Sequence, residues 1–223
     1  KEMLEERPAS RWDIDYWRQV YLDNLKFLEK SNFDIGTIEQ FEVRLTYGAI
    51  VVGKKNYSGN DAFLVNQGNI DFTGLDLTDA KKVKQKSPWV IERALLKDKT
   101  ILIARSGVAG VGKNRMTIAI DPQKAVVDSF VDILDLKNIN SFYVVVFWKS
   151  IFGWLQVERF INGVGTVNIS FSEIRAIKIP ILPEKVQSHI ASAYKKMSAF
   201  HNSAMEARKQ GDEQRYQKNI KIA

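Results

Sequence analysis

The sequence predicts an α+β protein, in which a mixed β-sheet domain with flanking helices is followed by a long C-terminal helix able to form a coiled coil. Three observations lead to this fold class. Residues 40–120 contain short apolar or alternating segments separated by glycines, which is typical of strands and turns. Residues 140–160 have the pattern of two consecutive aromatic-rich helices. From Val186 onwards, apolar residues recur at heptad spacing.

Residues 1–35 are assigned to a lead-in or linker that contains a helix. The segment before Arg11 is charged, and Pro8 disfavours helix directly before it. A helix is expected from about Asp13, where apolar residues begin to recur on one helical face. These residues are Ile14, Trp17, Tyr21, Leu25 and Leu28. Gly36 marks the turn after this segment.

The next domain, residues 36–182, begins with a β-rich body. Between Phe41 and Val52, apolar and polar residues alternate, which predicts a strand with one apolar face. That face is formed by Val43, Leu45 and Tyr47. The other predicted strands of this body are Ala62–Val65, Ile70–Phe72, Thr100–Ala104 and Met116–Ile120, the last two joined by a glycine-rich loop.

The second half of this domain is predicted to be helical before it returns to a strand. Helices are expected at about Asn140–Lys149 and Ile151–Phe160, each with aromatic residues to bury. A turn from Gly163 leads into a short capped helical turn, and the apolar strand Ala176–Ile179 follows. Pro180 follows that strand directly and ends it.

Residues 183–223 are predicted to form a pairing helix. Its apolar residues are spaced alternately by four and three, which is the pattern of a coiled-coil seam. The seam consists of Val186, Ile190, Ala193, Met197, Phe200, Ala204 and Ala207. Residues 184–210 would span roughly 40 Å as a helix. Gly211 interrupts the pattern, and the residues after it are expected to be frayed unless a partner covers them.

Composition limits the class of function. The 223 residues carry 33 basic and 26 acidic side chains, and residues 51–120 alone carry 12 basic and 6 acidic ones. Such a concentrated positive charge suits a polyanion, although a solubilising surface remains open as the other interpretation. The chain contains no cysteine, which excludes disulfides and thiolate metal sites. It has no apolar run of membrane-spanning length, so no membrane partner is expected. Because no secretory signal is visible and cysteines are absent, a cytoplasmic setting is favoured.

A family resemblance covers residues 36–190 and rests on the order and spacing of several segments. Leu102-Ile-Ala-Arg-Ser-Gly107, the strand Val126–Ser129, Gly163-Val-Gly-Thr-Val-Asn168 and Ile177-Lys-Ile-Pro180 occur in the order found in one family. In these segments the chain resembles the target recognition domain of type I restriction-modification specificity (S) subunits. It departs from the family pattern at Leu182-Pro-Glu-Lys-Val-Gln187, which lacks one proline and the glutamate beside the glutamine.

This resemblance implies recognition of double-stranded DNA on behalf of a partner. The implied partner is an adenine-N6 DNA methyltransferase (M) subunit or domain that binds S-adenosylmethionine, so no cofactor is expected in this chain and the chain is not expected to be an enzyme. A restriction (R) subunit and a second copy of the chain, paired through the C-terminal helix, are further partners that it allows. Because one recognition domain is present, we expect a half-size subunit or the specificity segment of a larger methyltransferase polypeptide.

The glycine-rich loop Gly107–Lys113 has three interpretations. It fits the G-x-x-x-x-G-K pattern of a nucleotide-binding loop, but Asn114 stands where a Ser or Thr should hold magnesium. The segment from Arg115 also has a strand pattern, where the nucleotide-binding loop requires a helix. We therefore favour a hairpin loop whose side chains face DNA, and keep a nucleotide-binding enzyme or a solvated turn as alternatives.

Further DNA-binding candidates come from the basic segments Lys54-Lys-Asn-Tyr57 and Lys81–Lys86 and from amides in loops. Lysines neutralise phosphates, whereas Arg, Asn and Gln read base edges through paired hydrogen bonds. Any single Asn is also an ordinary turn former. The complete set of DNA-binding candidates is Lys54, Lys55, Asn56, Tyr57, Gln67, Asn69, Arg105, Ser106, Lys113, Asn114, Arg115, Thr166 and Asn168.

Two other groups of residues are candidates for catalytic or metal sites. Asp128, Asp132 and Asp135 have helical spacing, and a solvated helix face is favoured for them over a nuclease metal cluster. His189 and His201 lie outside the seam and have no neighbouring ligand motif, so metal binding through them is not expected. An assembly protein that pairs through its helix without contacting DNA remains the other alternative.

Overall fold

The computed structural model of the protein describes residues 14–51, 59–71, 74–161 and 167–222. These residues form helices and mostly antiparallel sheets, followed by a long C-terminal helix, which confirms the predicted α+β class. No described helix is both long and apolar enough to cross a bilayer.

The described helices are numbered α1 to α7 in chain order. They are α1 (Gln19–Glu29), α2 (Ile38–Phe41), α3 (Ser141–Lys149), α4 (Ile151–Phe160), α5 (Phe171–Arg175), α6 (Glu184–Lys209) and α7 (Glu213–Ile222). The described strands are β1 (Ile35–Thr37), β2 (Glu42–Tyr47), β3 (Ala62–Val65), β4 (Lys82–Val83), β5 (Ile101–Ala104), β6 (Met116–Ile118), β7 (Ala125–Val127), β8 (Val131–Leu136) and β9 (Lys178–Pro180).

The strands form three sheets. The largest has the order β2-β8-β5-β6 and is antiparallel throughout. The second has the order β4-β3-β7, in which β3 and β7 run parallel and β4 is antiparallel. The third is the short antiparallel pair β1-β9, which joins the start of the domain to the strand before the long helix.

The central strand β5 has both faces buried because it lies between two layers. Ile101 and Ile103 point into a core shared with the helices, whereas Leu102 and Ala104 point into a core shared with the β3-β7 sheet. This alternation follows from the period of two in a strand. All four side chains are fully buried or nearly so, and burial of each of the three larger ones, Ile101, Leu102 and Ile103, contributes about 2 kcal/mol. The four-stranded sheet is therefore the centre of the domain.

Helix α3 packs against β6 on one face of this sheet and α4 packs against α3, and their predicted bounds are confirmed to within one residue. The Asn140 side chain accepts a hydrogen bond from the Phe142 backbone N–H and caps α3. The Ser150 hydroxyl accepts one from the Gly153 N–H and caps α4. Trp148 is 1% exposed in the core beneath them. Short polar caps thus divide one apolar segment into two helices.

Helix α6 packs on the body through a stripe of residues shifted by one position from the predicted seam. The buried stripe consists of Gln187, Ala191, Tyr194, Ser198 and His201. Of the predicted seam, Val186 and Ala193 are exposed, while Ile190, Met197 and Phe200 are half-buried. Two adjacent stripes therefore exist, and the first is packed against the domain. In the second, which we call the outward stripe, Ile190 and Met197 also pack against the domain core, whereas Val186 and Ala193 are exposed and open to a partner.

The end of the chain folds back on α6, contrary to the expected fraying. Gly211 adopts a φ of 73°, a conformation that favours glycine and reverses the chain. Helix α7 then returns along α6, and the Asn219 amide donates a hydrogen bond to the Ser203 hydroxyl at 3.0 Å. Ala204 and Ala207, the last two residues of the predicted seam, are fully buried. An intrachain hairpin thus covers the part of the seam assigned to a partner.

Two expectations for the first sixty residues need correction. Ile14, predicted on the buried helix face, is 86% exposed, because Ile14–Trp17 forms a 3-10 turn that precedes α1. Val43 was placed on the apolar face of β2 but is 60% exposed, because the register with β8 shifts between Glu42 and Arg44. In both cases the side-chain repeat changes locally, from that of an α-helix to that of a 3-10 turn at Ile14 and through a register shift in the strand at Val43.

The predicted strand Ile70–Phe72 is also corrected. Residues Gln67–Asn69 form a 3-10 turn, and Ile70 makes only an isolated bridge to Leu75. The Asn66 side chain caps this turn by accepting a hydrogen bond from the Gly68 N–H. Phe72 lies outside the described residues.

The expectation of a solvated helix face for the three aspartates is wrong. Asp132 and Asp135 belong to strand β8, and Asp132 is fully buried in the four-stranded sheet. The spacing of four and three had fitted a helix, but non-local pairing with β2 and β5 makes this segment a strand. No group of three or more His, Asp or Glu side chains among the described residues is placed to hold a metal ion.

Candidate nucleic-acid interface

Four strands of the largest sheet begin or end at the same edge of the domain. Tyr47 is the last residue of β2 and pairs with Asp132 near the start of β8. Arg105 follows β5, and its N–H bonds to the Phe130 carbonyl at 3.1 Å. Arg115 precedes β6, and its carbonyl accepts from the Ala104 N–H at 2.9 Å. We call this edge the loop end of the sheet, and the edge with Glu42, Thr100 and Leu136 the opposite end.

The loop from Arg105 to Arg115 is tightly folded at the loop end. Gly107 has a φ of 84°, which favours glycine, and its N–H bonds to the Val167 carbonyl at 2.8 Å. The Gly110 and Gly112 N–H groups both bond back to the Gly107 carbonyl. The loop is therefore held by backbone hydrogen bonds, with Val111 buried in the core and Lys113 exposed.

Gln67 approaches this loop from the end of β3. A Cβ added at Gly110 would collide with the Gln67 Oε1 atom and the Ser106 carbonyl, so only glycine fits there. The Gln67 Oε1 atom is buried and has no hydrogen-bond partner among the described residues. An unsatisfied buried amide oxygen is costly, and the amide is placed beside a loop that faces solvent.

Ser106 and Asn168, both predicted DNA-binding residues, are brought together. They form an isolated antiparallel bridge, and the Ile169 N–H bonds to the Arg105 carbonyl at 3.3 Å. With Phe130 they line a shallow depression of about 350 Å³. Phe130 is 53% exposed, although it is a large apolar side chain. The depression thus offers a hydroxyl, an amide and an aromatic face to a ligand.

Lys113 and Asn114 lie farther along the same loop, against the junction of α3 and α4. Asn114 adopts a left-handed conformation with φ of 51° and ends the 3-10 turn Val111–Lys113. Lys113 is exposed, and both residues line a second depression together with Lys149 and Trp154. Burial lowers the pKa of Lys149 to about 8, an effect that Asp71 partly opposes. Positive charge therefore extends along the loop end.

An aromatic and arginine cluster, which the sequence did not reveal, supports Arg105. The Arg105 guanidinium carbon lies 5.4 Å from the Tyr47 ring centroid and 5.6 Å from that of Phe171. Arg93 lies 4.6 Å from the Tyr47 ring, and its Nη1 donates to the Tyr47 carbonyl at 3.0 Å. Such contacts stabilise a guanidinium and fix its plane. Tyr47 just before Gly48, an aromatic residue at a strand end, was the available signal.

Asp132 lies beneath Arg105 in the same cluster. Its Oδ1 atom is 3.5 Å from the Arg105 Nε, and neither carboxylate oxygen accepts a hydrogen bond from the described residues. Burial raises the pKa of Asp132 to about 7, although Arg105 acts in the opposite direction. A single acid within the apolar run Val131–Leu134 was a sequence signal for a buried charge with a function.

Other predicted DNA-binding residues lie differently. Asn69 is 8% exposed, its Oδ1 accepts from the Asn66 N–H, and its Nδ2 donates to the Asp76 carbonyl. Its amide is thus used to build a turn. Lys54, Lys55, Asn56, Tyr57 and Thr166 lie outside the described residues.

The basic segment Lys81–Lys86 lies along the outer edge of the second sheet. Lys82 belongs to β4, pairs with Phe63, and places its Nζ 4.5 Å from the Phe63 ring. The Gln85 N–H bonds to the Asp61 carboxylate, at the start of β3 and away from Gln67. This segment therefore runs away from the loop end.

The geometry of Gly107–Lys113 disfavours the nucleotide-binding alternative. A nucleotide-binding loop of this pattern leads into a helix whose N-terminus faces the phosphates. Here the loop ends in a single 3-10 turn, and the strand β6 follows from Met116. The described backbone thus lacks the helix that this chemistry requires.

Comparisons with known proteins agree with this geometry. A family model described as the type I restriction modification DNA specificity domain matches residues 52–211. No curated protein matches the chain in sequence.

Several solved structures share the fold at low sequence identity. The S subunit of a type I restriction-modification system from M. genitalium superimposes with a TM-score of 0.51 at 14% identity, covering 80% of this chain and 41% of that one. A chain from a study of complex assembly and conformational transition in the type I R-M system gives 0.53 at 9% identity, covering 92% and 50%. The type IIG restriction endonuclease BpuSI gives 0.57 at 12% identity, covering 87% and 30%. This chain thus spans at most half the length of these three proteins.

Proposed function

We propose that this chain, which belongs to the family of type I restriction modification DNA specificity domains, recognises a short sequence in duplex DNA through the loop end of its largest sheet. The observation that carries the proposal is the convergence of cationic and base-reading side chains at that end. Arg105, Ser106 and Asn168 meet there, with Lys113 and Arg115 on the same loop.

The two kinds of side chain would have different tasks. Lys113 is exposed and suits contact with a phosphate, which fixes position without reading sequence. Arg105 and Asn168 carry the paired donors and acceptors that read base edges in the major groove. Phe130, exposed beside them, suits an apolar contact with a thymine methyl group or a base face. Together they supply both the affinity and the specificity that recognition requires.

Chemistry on the DNA is proposed to belong to a partner. An adenine-N6 methyltransferase subunit or domain would bind S-adenosylmethionine and take the adenine out of the duplex, which methyltransferases must do to reach their target atom. A restriction subunit would join the same assembly. In support, the family model describes a specificity domain, and the chain covers only part of the solved proteins that share its fold.

The helical hairpin of α6 and α7 is the proposed docking element for that partner. Its outward stripe contains Val186, Ile190, Ala193, Met197 and Phe200, of which the first and third are exposed. Knobs-into-holes packing against a second helix would bury these side chains. A second copy of this chain is the other occupant that the stripe accommodates, and the mass of the purified protein in solution separates the two.

A filter-binding titration across salt concentrations tests the DNA proposal. The logarithm of the binding constant for a mixed-sequence duplex should fall linearly with the logarithm of salt, with a slope of roughly −0.9 per contacted phosphate. A binding constant that does not change with salt would contradict the proposed contacts with phosphates. Binding that depends on salt but selects no sequence from a randomised duplex library would contradict the proposed sequence recognition.

A further inference from the structure

The cluster at the loop end assigns more specific roles, which rest on the proposed DNA-binding function. We propose that Arg105 reads a guanine base and that Asp132 is the positioning residue that fixes the orientation of the Arg105 guanidinium. The proposal follows from three observations: how Arg105 is packed, which of its donors remain available, and how Asp132 is buried.

Arg105 is restrained before any ligand arrives. Its guanidinium contacts both the Tyr47 and Phe171 rings, whose centroids are 6.2 Å apart and whose planes differ by 23°. An arginine free in solvent loses side-chain entropy when a ligand immobilises it. Packing against two rings removes part of that cost in advance, because the guanidinium is already limited to few orientations.

The ion pair with Asp132 leaves the reading edge of Arg105 available. The contact is made by Nε, 3.5 Å from the Asp132 Oδ1. Guanidinium has five N–H donors in a planar fork, so the two Nη atoms still present a parallel pair. Guanine offers O6 and N7 as two adjacent acceptors in the major groove, and this pair matches the fork. The Arg105 side chain is 30% exposed, on the wall of the depression lined by Ser106, Phe130 and Asn168.

Orientation is the reason to assign a base and not a phosphate. A phosphate presents oxygens in several directions, and a flexible exposed lysine such as Lys113 reaches it without support. A base edge accepts two parallel hydrogen bonds in one plane only, so a reading arginine gains from being held in a fixed plane. Two rings and a buried carboxylate supply this support at Arg105.

Burying the Asp132 carboxylate destabilises the folded state, which suggests that the charge is kept for a function. It is 0% exposed and accepts no hydrogen bond from the described residues. Burial raises its pKa to about 7, so a substantial fraction of the carboxyls is protonated near neutrality. The charged and titratable groups around it are Arg105 after β5, Tyr47 on β2, Arg93 beyond that ring, and Glu173 on α5 in the same depression. As pH falls through about 7, Asp132 becomes protonated and its ion pair with the Arg105 guanidinium is lost.

The test uses the full 223-residue chain and a 30-base-pair duplex library with a randomised centre. Bound DNA is recovered and sequenced, and the base preference is measured at each position. The wild type at pH 8 should enrich a motif that contains a guanine. Arg105→Lys keeps the charge but loses the planar fork, so it should lose about tenfold of the preference at that guanine and keep the other positions. Asp132→Asn should give the same selective loss.

Two controls separate positioning from a general structural effect. Asp121→Asn removes one negative charge from an exposed residue at the opposite end and should leave the motif unchanged. Lowering the pH from 8 to 6 should weaken the guanine preference of the wild type, whereas Asp132→Asn should show no such change. A general loss of structure would lower every position of the motif together, and the pH difference would be absent.

Each outcome decides a different claim. If Asp132→Asn or Arg105→Lys enriches the wild-type motif with unchanged preference at every position, the assigned roles are wrong while the proposed function stands. If the wild type enriches no motif, the proposed function fails, and the roles fail with it. If Asp132→Asn does not fold, the Arg105→Lys motif and the wild-type pH profile still decide the matter, since neither requires that variant.

Discussion

The two ends of the largest sheet hold their buried charges in different ways. At the opposite end, Arg44 Nε lies 2.8 Å from Asp135 Oδ2, and the Thr100 hydroxyl donates to the other oxygen at 2.6 Å. Arg175 makes two hydrogen bonds to Glu42 at 2.6 and 2.8 Å. At the loop end, Asp132 is more deeply buried, yet its contact with Arg105 is 3.5 Å long.

This difference teaches which charges build the fold and which are available to a ligand. A buried charge is tolerated when hydrogen bonds satisfy it, as at Asp135 and Glu42. A buried carboxylate without such bonds destabilises the fold, and a pKa raised to about 7 is the electrostatic sign of that cost. We interpret the opposite end as structural and the loop end as functional, because Asp135 and Glu42 accept hydrogen bonds, whereas neither Asp132 oxygen accepts one from the described residues.

The strongest way to break this comparison is Asp132→Asn, which should stabilise the protein. The folded-state pKa of Asp132 is about 7, above the ordinary value of 3.8, so the folded state keeps a proton that the unfolded state releases between these pH values. Stability therefore falls as pH rises from about 4 to 7, by a ceiling of about 4 kcal/mol. Asn lacks this penalty, so urea unfolding at pH 8 should give the variant a higher free energy than the wild type, with a smaller gain at pH 5. A loss of stability at pH 8 would contradict the interpretation.

The matched substitution three residues along the same strand, Asp135→Asn, should destabilise the protein. Asp135→Asn removes the carboxylate that pairs with Arg44 and keeps a group able to accept from Thr100. Both charged side chains are about one-fifth exposed, so the expected loss is about 2 kcal/mol, between exposed and fully buried pairs. The same urea titrations measure it. DNA binding should not change, and if it does, the division between the two ends is not valid.

His201 is a third buried titratable group and lies away from the loop end. Its titration should therefore change stability without changing DNA recognition. His201 is 0% exposed on α6 beside Gly74, and burial lowers its pKa, while Asp71 and Asp76 act in the opposite direction. The unfolded state therefore takes up the proton first, and stability should fall as pH drops below about 6.5. His201→Gln should flatten this dependence between pH 5 and 7 in thermal unfolding. Its base preferences should equal those of the wild type.

The smallest expected effect concerns the basic segment on the second sheet. Lys84→Glu combined with Lys86→Glu reverses two exposed charges that lie away from the loop end. We expect a loss of no more than about threefold in affinity for a mixed-sequence duplex, since exposed charges beyond a Debye length are largely screened. Fluorescence anisotropy with a labelled duplex in 0.15 M salt measures this. A loss in affinity above tenfold would indicate that DNA contacts the edge of the second sheet and would contradict the proposed interface.

Elements encoded locally could be predicted from the sequence. The bounds of α3 and α4 follow from apolar periodicity and from caps at Asn140 and Ser150. The pair β5 and β6 follows from two apolar runs around one glycine-rich loop. The grouping of Arg105, Ser106 and Lys113 on one loop is likewise a property of nearby residues.

Features set by distant contacts could not be predicted. Tyr47 and Phe171 are far apart in the chain, and only the folded sheet brings both rings to Arg105. Asp132 fitted a helical spacing, because two or three residues cannot distinguish that period from a strand that pairs on both sides. The return of α7 onto α6 depends on the φ of Gly211 and on packing, for which the sequence carries only a glycine.

The central claim is that the loop end of the sheet contacts DNA, and one matched pair of double variants tests it most directly. Lys113→Glu with Arg115→Glu reverses two charges at the loop end, and Lys97→Glu with Lys99→Glu reverses two exposed charges at the opposite end. Anisotropy titrations of a labelled 30-base-pair duplex across salt should give the first variant at least tenfold weaker binding and a salt slope shallower by about two phosphate contacts. The second variant should bind within about twofold of the wild type. Equal losses in both variants, or a loss in the second alone, would contradict the account.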